Sequence, residues 1–311
     1  MRPFSPLVSF TEGCAAETAI GGRSGFPDES VREMKLKKVY LEIGNCCNLH
    51  CSFCPGTRRS PRMLSEEEFR LLAGKLRGST DYLYFHLMGE PLLHPLLGEF
   101  LRIAGEMGYR VMITTNGTLL AERGELLLNA QCVHKVNLSL QSFEANEKDN
   151  LQTYLDSCVA FVKEAAPKGI LCEFRLWNQG GLASRNSEIL RSLEKAYPPP
   201  WQESRNGKKL AERVWLDPGE RFDWPDLELE EMRQEGFCYG LRDQIGVLCD
   251  GTVVPCCLDH DGDIPLGNLF MQELDEILNS PRAKAIYDGF SRRKAVEPLC
   301  RRCGYAARFT K

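Results

Sequence analysis

The sequence predicts an α/β fold, a partial (β/α)6 barrel followed by a small cysteine-rich α+β domain. Three observations predict it. Short apolar runs alternate with amphipathic helical stretches from residue 37 to 216, the pattern of strand–helix–strand units around a parallel sheet. Five or six such units fit a partial or open barrel better than a complete eightfold one. Nine of the 14 cysteines fall in two clusters, Cys46 to Cys54 and Cys238 to Cys303. A doubly wound sheet is the alternative, but no Gly-rich dinucleotide fingerprint follows the first strand.

The elements follow in order. KKVYLEI (37–43) reads as a strand leading into the cysteine loop. Ser65 and Glu68 form a capping box that starts a helix through FRLLAGKLRG. DYLYFHLM (81–88) is a second strand, and Pro95 opens a second helix. YRVMITT (109–115) is a third strand, with the helix TLLAERGELLLNA after it. KVNLSLQ (135–141) is a fourth, backed by a long helix over 147–166. GILCEFRLW (169–177), the helix SEILRSLEKAY and ERVWL (212–216) complete the barrel region. Beyond it, QIGVLCDGTVVPCC reads as a hairpin turning at Asp250-Gly251, and QELDEILNSPRAKAIYDGF as a helix.

This divides the chain into an extension, 1–33, expected to be poorly ordered; a barrel, 34–216; a linker, 217–237; and a cysteine-rich domain, 238–311. The extension lacks the basic start and apolar stretch of a secretory signal, and Met34 is a candidate native start. A formal charge of −4 provides no global basic field for nucleic acid, and no run of about 18 apolar residues predicts a membrane span. Many cysteines without an export signal point to metal or redox chemistry in a reducing cytoplasm. Cys14, Cys132, Cys158, Cys172 and Cys249 read as small buried hydrophobes or incidental thiols.

Cys47, Cys51 and Cys54 have the spacing C-x3-C-x2-C. Three thiolates on a short loop can hold three irons of a cubane and leave the fourth open. Cys46 is expected to be a bystander, because adjacent residues in an extended loop point apart. The motif resembles the signature of the radical S-adenosylmethionine (SAM) superfamily, and the resemblance extends over residues 37–216. Met88-Gly89-Glu90-Pro91 resembles the family's GGEP motif, with Met88 in place of the first glycine, and Thr115-Asn116-Gly117 resembles its TNG turn. The resemblance implies a [4Fe–4S] cluster on Cys47, Cys51 and Cys54, and SAM chelating its open iron. Phe53, Gly89, Glu90, Asn116, Ser139 and Arg175 would contact SAM, with Asn178 the alternative to Arg175. It implies reductive cleavage of SAM to a 5′-deoxyadenosyl radical that abstracts hydrogen from substrate. An electron donor such as flavodoxin or ferredoxin goes with that chemistry. His86 is the histidine to watch, although an interior structural role is the simpler reading.

Cys238, Cys256, Cys257, Cys300 and Cys303 sit in a frame resembling the SPASM/twitch extension of radical SAM enzymes. Cys238, Cys256, Cys300 and Cys303 would hold a second, auxiliary [4Fe–4S] cluster; Cys257 is the alternative to Cys256, and zinc the alternative to iron–sulfur. DHDGD (259–263) lacks EF-hand spacing and reads as a polar turn. A basic patch, Ser291 to Lys294 with Arg301 and Arg302, reads as a solvated face that could also meet an acidic peptide or a phosphate backbone. In such families the extension accompanies peptide or protein substrates, so a maturase or peptide-modifying enzyme is the leading expectation. RNA, a small molecule, or a non-catalytic metal-binding scaffold are the alternatives.

Overall fold

The computed structural model describes residues 35–146, 150–181, 185–204 and 207–309. The extension, its Cys14 and Met34 lie outside the described residues. Strand β1 (Lys38–Leu41) leads into the first cysteine loop, and helix α1 (Glu66–Lys75) follows. Then come β2 (Tyr82–Tyr84), α2 (Leu97–Glu106), β3 (Arg110–Thr115), α3 (Leu120–Leu128), β4 (Val133–Ser139), α4 (Leu151–Ala165), β5 (Leu171–Gln179) and α5 (Asn186–Ala196). A hairpin, β6 (Gln202–Ser204) and β7 (Gly207–Ala211), precedes β8 (Val214–Glu220). The cysteine-rich region supplies β9 (Gln244–Val247), β10 (Thr252–Val254), β11 (Gly267–Asn268), α6 (Leu274–Leu278), α7 (Pro281–Ser291) and α8 (Pro298–Arg301).

The eleven strands of the described residues form one sheet in the order β11-β10-β9-β1-β2-β3-β4-β5-β8-β7-β6. Each neighbouring pair along β1, β2, β3, β4, β5 and β8 is parallel, which is the six-stranded barrel the sequence predicts. The order is linear, so the barrel is partial. β9 pairs in parallel with the opposite side of β1, Lys38 facing Gln244 and Leu41 facing Val247. The cysteine-rich region therefore continues the barrel sheet.

The capping box at α1 forms as the sequence requires: Glu68 N donates to Ser65 Oγ at 3.2 Å and Ser65 N donates to Glu68 Oε2 at 2.9 Å. Phe69, Leu72 and Ala73 fall on one helical face and are buried. Phe69 stacks on Phe100 of α2 with ring centroids 4.3 Å apart. On β5, Cys172, Phe174, Leu176 and Asn178 are buried, while Glu173, Arg175 and Trp177 alternate to the opposite, half-buried face. The corresponding positions of β1, β3 and β4, among them Lys38, Thr114, Lys135 and Asn137, line the interior together with Arg175 and Trp177.

Three elements differ from expectation. β2 ends at Tyr84 rather than at residue 88, because the chain leaves the ladder to reach the Gly89 turn. The helix expected through residues 272–290 is two: Pro281 cannot donate to an intrahelical bond, so α6 ends and Ser280 caps α7. The β6–β7 hairpin lies in a polar stretch with no alternation to announce it. Among the described residues no helix is long and apolar enough to cross a membrane.

Candidate cluster sites around one cavity

The chain leaves β1 through Glu42, which is fully buried. An unpaired carboxylate there would be costly, and Glu42 is not unpaired. Arg59 donates to it through both terminal nitrogens at 2.7 Å, and the Met88 and Cys249 N–H groups donate at 3.1 and 3.0 Å. One side chain thus ties the outgoing arm of the cysteine loop, the turn after β2 and the hairpin of the cysteine-rich region. Thr57 Oγ1 (2.6 Å), Arg58 N (2.9 Å) and Arg58 Nε (2.7 Å) all donate to Asp261, and Arg59 Nε donates to the His260 carbonyl at 2.9 Å. DHDGD is therefore more than a polar turn: it clamps the loop.

Cys47, Cys51 and Cys54 line a cavity of about 710 Å³ at the C-terminal ends of the strands. Cys46 does not line it; its thiol lies 3.9 Å from Asn45 Oδ1 and its carbonyl accepts from Glu90 N at 2.8 Å. Burial pushes the Cys51 thiol up to about 12, with Cys54 and Cys47 adding to the shift, and burial raises Cys47 and Cys54 too. Three thiols gathered where each thiolate is disfavoured form a donor set that a positive metal centre would stabilise.

Gly89 has φ of 81°, and a Cβ there would stand 2.5 Å from the Gly44 carbonyl oxygen and 2.8 Å from that of Cys46. Only glycine permits this close approach to the cysteine loop. The Glu90 carboxylate accepts from Leu92 N (3.0 Å), Thr115 Oγ1 (2.7 Å) and Asn116 N (2.7 Å), joining the Met88–Pro91 turn to the Thr115–Gly117 turn. Asn116 Nδ2 donates to Asn48 Oδ1 at 2.9 Å and lies 3.9 Å from Cys47 Sγ, so this turn also braces the loop. Phe53, Gly89, Glu90, Asn116, Ser139 and Arg175 all line the cavity. Asn178 does not; it pairs with Asn186, each amide donating to the other at 2.9 Å.

Lower on the wall, Lys38, Tyr84, His86, Thr114, Lys135 and Asn137 face the same space. Burial, then Arg175 and Lys38, push His86 down to about 3, so its ring is neutral near pH 7. Its Nε2 lies 3.2 Å from Thr114 Oγ1, which also accepts from Asn137 Nδ2 at 3.1 Å. His86 Nδ1, Asn137 Oδ1 and Gln141 Oε1 find no protein partner among the described residues.

Cys238, Cys256, Cys257, Cys300 and Cys303 border the opposite side of the cavity. Burial raises Cys256 far above the ordinary thiol range, and Cys257, Cys238, Cys303 and Cys300 all add to it. Burial raises Cys257 to about 11, whereas the Tyr40 hydroxyl, donating to its sulfur, works the other way. Cys249 is off the cavity, buried beside Arg59 at 3.7 Å. The described cysteines are all free thiols. Arg301 Nε and Arg302 Nη1 both donate to Glu231, at 2.9 and 3.2 Å, so the basic patch is partly neutralised.

The sequence reading missed Glu42, Arg59 and Asp261. A cue for the first was present: a glutamate inside the apolar run VYLEIG must have a buried partner.

Comparison with known proteins agrees with this geometry. Residues 41–170 match the radical SAM superfamily, and residues 238–304 match SPASM, an iron–sulfur cluster-binding domain. A probable GTP 3′,8-cyclase of Methanocella arvoryzae is 35% identical over 113 residues, 35% of this chain and 36% of that protein. An AdoMet-dependent heme synthase of Methanosarcina barkeri is 29% identical over 117 residues, 37% of this chain and 34% of that protein. The chain spans about a third of the length of these curated relatives. Among solved structures, BtrN in complex with AdoMet and 2-DOIA has a TM-score of 0.56 at 18% identity, covering 86% of this chain and 92% of that one. Streptococcus suis SuiB bound to precursor peptide SuiA has a TM-score of 0.58 at 15% identity, covering 89% and 71%. These likenesses establish the shared fold. The family brings a [4Fe–4S] cluster and SAM as cofactors, and the second domain is one that binds iron–sulfur clusters. This chain belongs to the radical SAM superfamily and carries a C-terminal SPASM domain.

Proposed function

We propose that the chain binds SAM beside a [4Fe–4S] cluster held by Cys47, Cys51 and Cys54, and removes hydrogen from a peptide or protein. Cys238, Cys256, Cys300 and Cys303 hold the auxiliary cluster. When bound, the cluster and SAM supply one-electron cleavage of the sulfonium and a hydrogen-abstracting 5′-deoxyadenosyl group. The chain's own part is to orient and enclose. Gly89 allows the backbone to approach, and Glu90, Asn116 and Ser139 present polar atoms to the amino-acid and ribose ends of SAM. Phe53 offers a face for adenine, and Arg175 a cation for the carboxylate. Flavodoxin or ferredoxin fits as the electron donor, and a reducing cytoplasm suits thiols that hold metal rather than pair.

The observation that carries this reading is that the three loop thiols and the C-terminal thiols border one cavity, with an unsaturated polar wall between them. SuiB, of similar fold, has been solved with a precursor peptide, which supports the peptide preference. A small-molecule substrate is the second reading, favoured by the names of curated relatives, GTP cyclases and heme synthases. Anaerobic reconstitution with iron and sulfide, followed by SAM and dithionite, is the test. 5′-Deoxyadenosine should form with the native chain and not with Cys47→Ala. A colourless protein that leaves SAM intact would sink the enzyme reading and support a metal-binding scaffold.

A further inference from the structure

We propose that the barrel floor takes an anionic group of the substrate, a carboxylate or phosphate, through Lys38 and Lys135. This rests on the radical SAM reading above and specifies what its substrate must carry. Lys38 on β1, Lys135 on β4 and Arg175 on β5 all border the cavity. The one carboxylate that meets any of them is Glu173, 2.6 Å from Lys135 Nζ and 2.8 Å from Arg175 Nε. Lys135 and Arg175 thus share one carboxylate.

Lys38 has no carboxylate partner among the described residues; its ammonium lies 5.9 Å from the Tyr84 ring centroid. The other acids on the wall are committed. Asp243 pairs with Lys37 at 2.7 Å, and Asp259 accepts from Asp263 N and Ile264 N at 2.8 and 2.9 Å. Glu90 is held by its three donors. Between the two lysines the wall is neutral. Burial raises Tyr84 to about 12 and keeps its phenol protonated, while His86 stays uncharged near pH 7. Lys38 is exposed and Lys135 half-buried, so an anion entering from solvent meets two cations with a single shared counter-charge near them.

A second feature narrows the ligand. Asn137 is 1% exposed, and its Oδ1 has no protein partner while its Nδ2 is spent on Thr114. The wall therefore offers a hydrogen-bond acceptor beside the cations. An acidic residue of a peptide supplies both complements, a side-chain carboxylate and a backbone N–H. A simple dicarboxylate such as glutarate supplies the anion alone, and hydrogen phosphate an anion with a P–OH in place of the N–H.

Calorimetry on the reconstituted, SAM-loaded protein tests this with matched probes. These are the pentapeptides Gly-Gly-Glu-Gly-Gly and Gly-Gly-Gln-Gly-Gly, glutarate and glutaramide, and inorganic phosphate. The acid of each pair should bind at least about tenfold tighter than its amide, and in Lys38→Met that ratio should fall below about twofold. Lys38→Arg should retain it, and Lys135→Met provides a second variant; iron content matching the native protein verifies each fold. A preference confined to the peptide pair assigns a peptide source, and one confined to glutarate or phosphate assigns a small acid. Equal binding of acid and amide by the native protein, or a preference that survives in both Lys38→Met and Lys135→Met, overturns the proposal. 5′-Deoxyadenosine formation without any probe is measured on the same preparation. Its absence sinks the radical SAM reading, whereas its presence without an acid preference sinks the anion site alone.

Discussion

The two cysteine sites are built in opposite ways. The first takes its three thiols from eight consecutive residues, Cys47 to Cys54, and sets them against a polar wall made by strand ends. The second gathers thiols from the stretch before β9, the turn after β10 and the short helix α8 with its exit. In the first, Cys47 and Cys54 are exposed; in the second, no cysteine is. A local loop with three donors leaves a coordination position for a ligand. A set assembled across the fold, with four donors and little exposure, suits electron transfer or structure. On the proposed assignment, the difference places open chemistry on the loop whose shape is controlled from outside, and closed chemistry where the fold itself fixes the thiols.

That contrast can be broken at four places. The largest effect should come from Cys51→Ala, which should abolish 5′-deoxyadenosine formation yet retain about half of the iron, held at the second site. Iron assay together with the cleavage assay checks it; loss of all iron would show that the sites do not load independently. Next, Cys256→Ala should lose the auxiliary cluster's spectroscopic signal while Cys257→Ala retains it, since Cys256 is the one surrounded by the other thiols. The reverse result would exchange their roles.

Third, Glu42→Gln leaves the Arg59 guanidinium, 14% exposed, without its counter-charge. Removing one partner of a buried pair costs about 3–5 kcal/mol, to be read from urea unfolding. The same variant should alter the paramagnetic signal of the first cluster, which a merely global loss of stability would not. The smallest effect concerns pH. His86 is pushed well below its ordinary value of 6.5, to about 3, so its folded form resists protonation. Stability is then present above the unfolded pKa and lost as pH falls below 6.5 towards 3, by up to roughly 1.4 kcal/mol per unit. His86→Gln should flatten that slope between pH 6 and 4, and an unchanged slope would show that other groups set it.

Much of the first site was legible because its information is local. The C-x3-C-x2-C spacing, the Gly89-Glu90-Pro91 turn and the Thr115-Asn116-Gly117 turn each occupy a few adjacent residues. Strand–helix alternation likewise revealed the six parallel strands. What controls the loop was not legible, because its partners are remote. Glu42 reaches Arg59 across 17 positions and Cys249 across 207, and Arg58 reaches Asp261 across 203. Spacing cannot encode contacts that only the sheet brings together. The preference for Cys256 over Cys257 had no local cue for the same reason: they are neighbours in sequence, and it is the fold that sets Cys256 among the other thiols and Cys257 beside the Tyr40 hydroxyl. The break at Pro281 is different. Its signal is local, Ser280-Pro281, a cap followed by proline that ends one helix and starts the next despite the continuous apolar periodicity around it.

The pairing of β9 with β1 has a consequence in time. During synthesis β1 emerges early and meets β2 soon afterwards, but its other neighbour begins at Gln244. Until that stretch leaves the ribosome, Glu42 lacks the Cys249 N–H and the cysteine loop lacks the Asp261 clamp. Between the synthesis of β1 and that of residues 244–261 the loop is therefore tethered at β1 but not locked. Iron delivered before that moment meets a pliable loop; iron delivered after it meets a finished cradle.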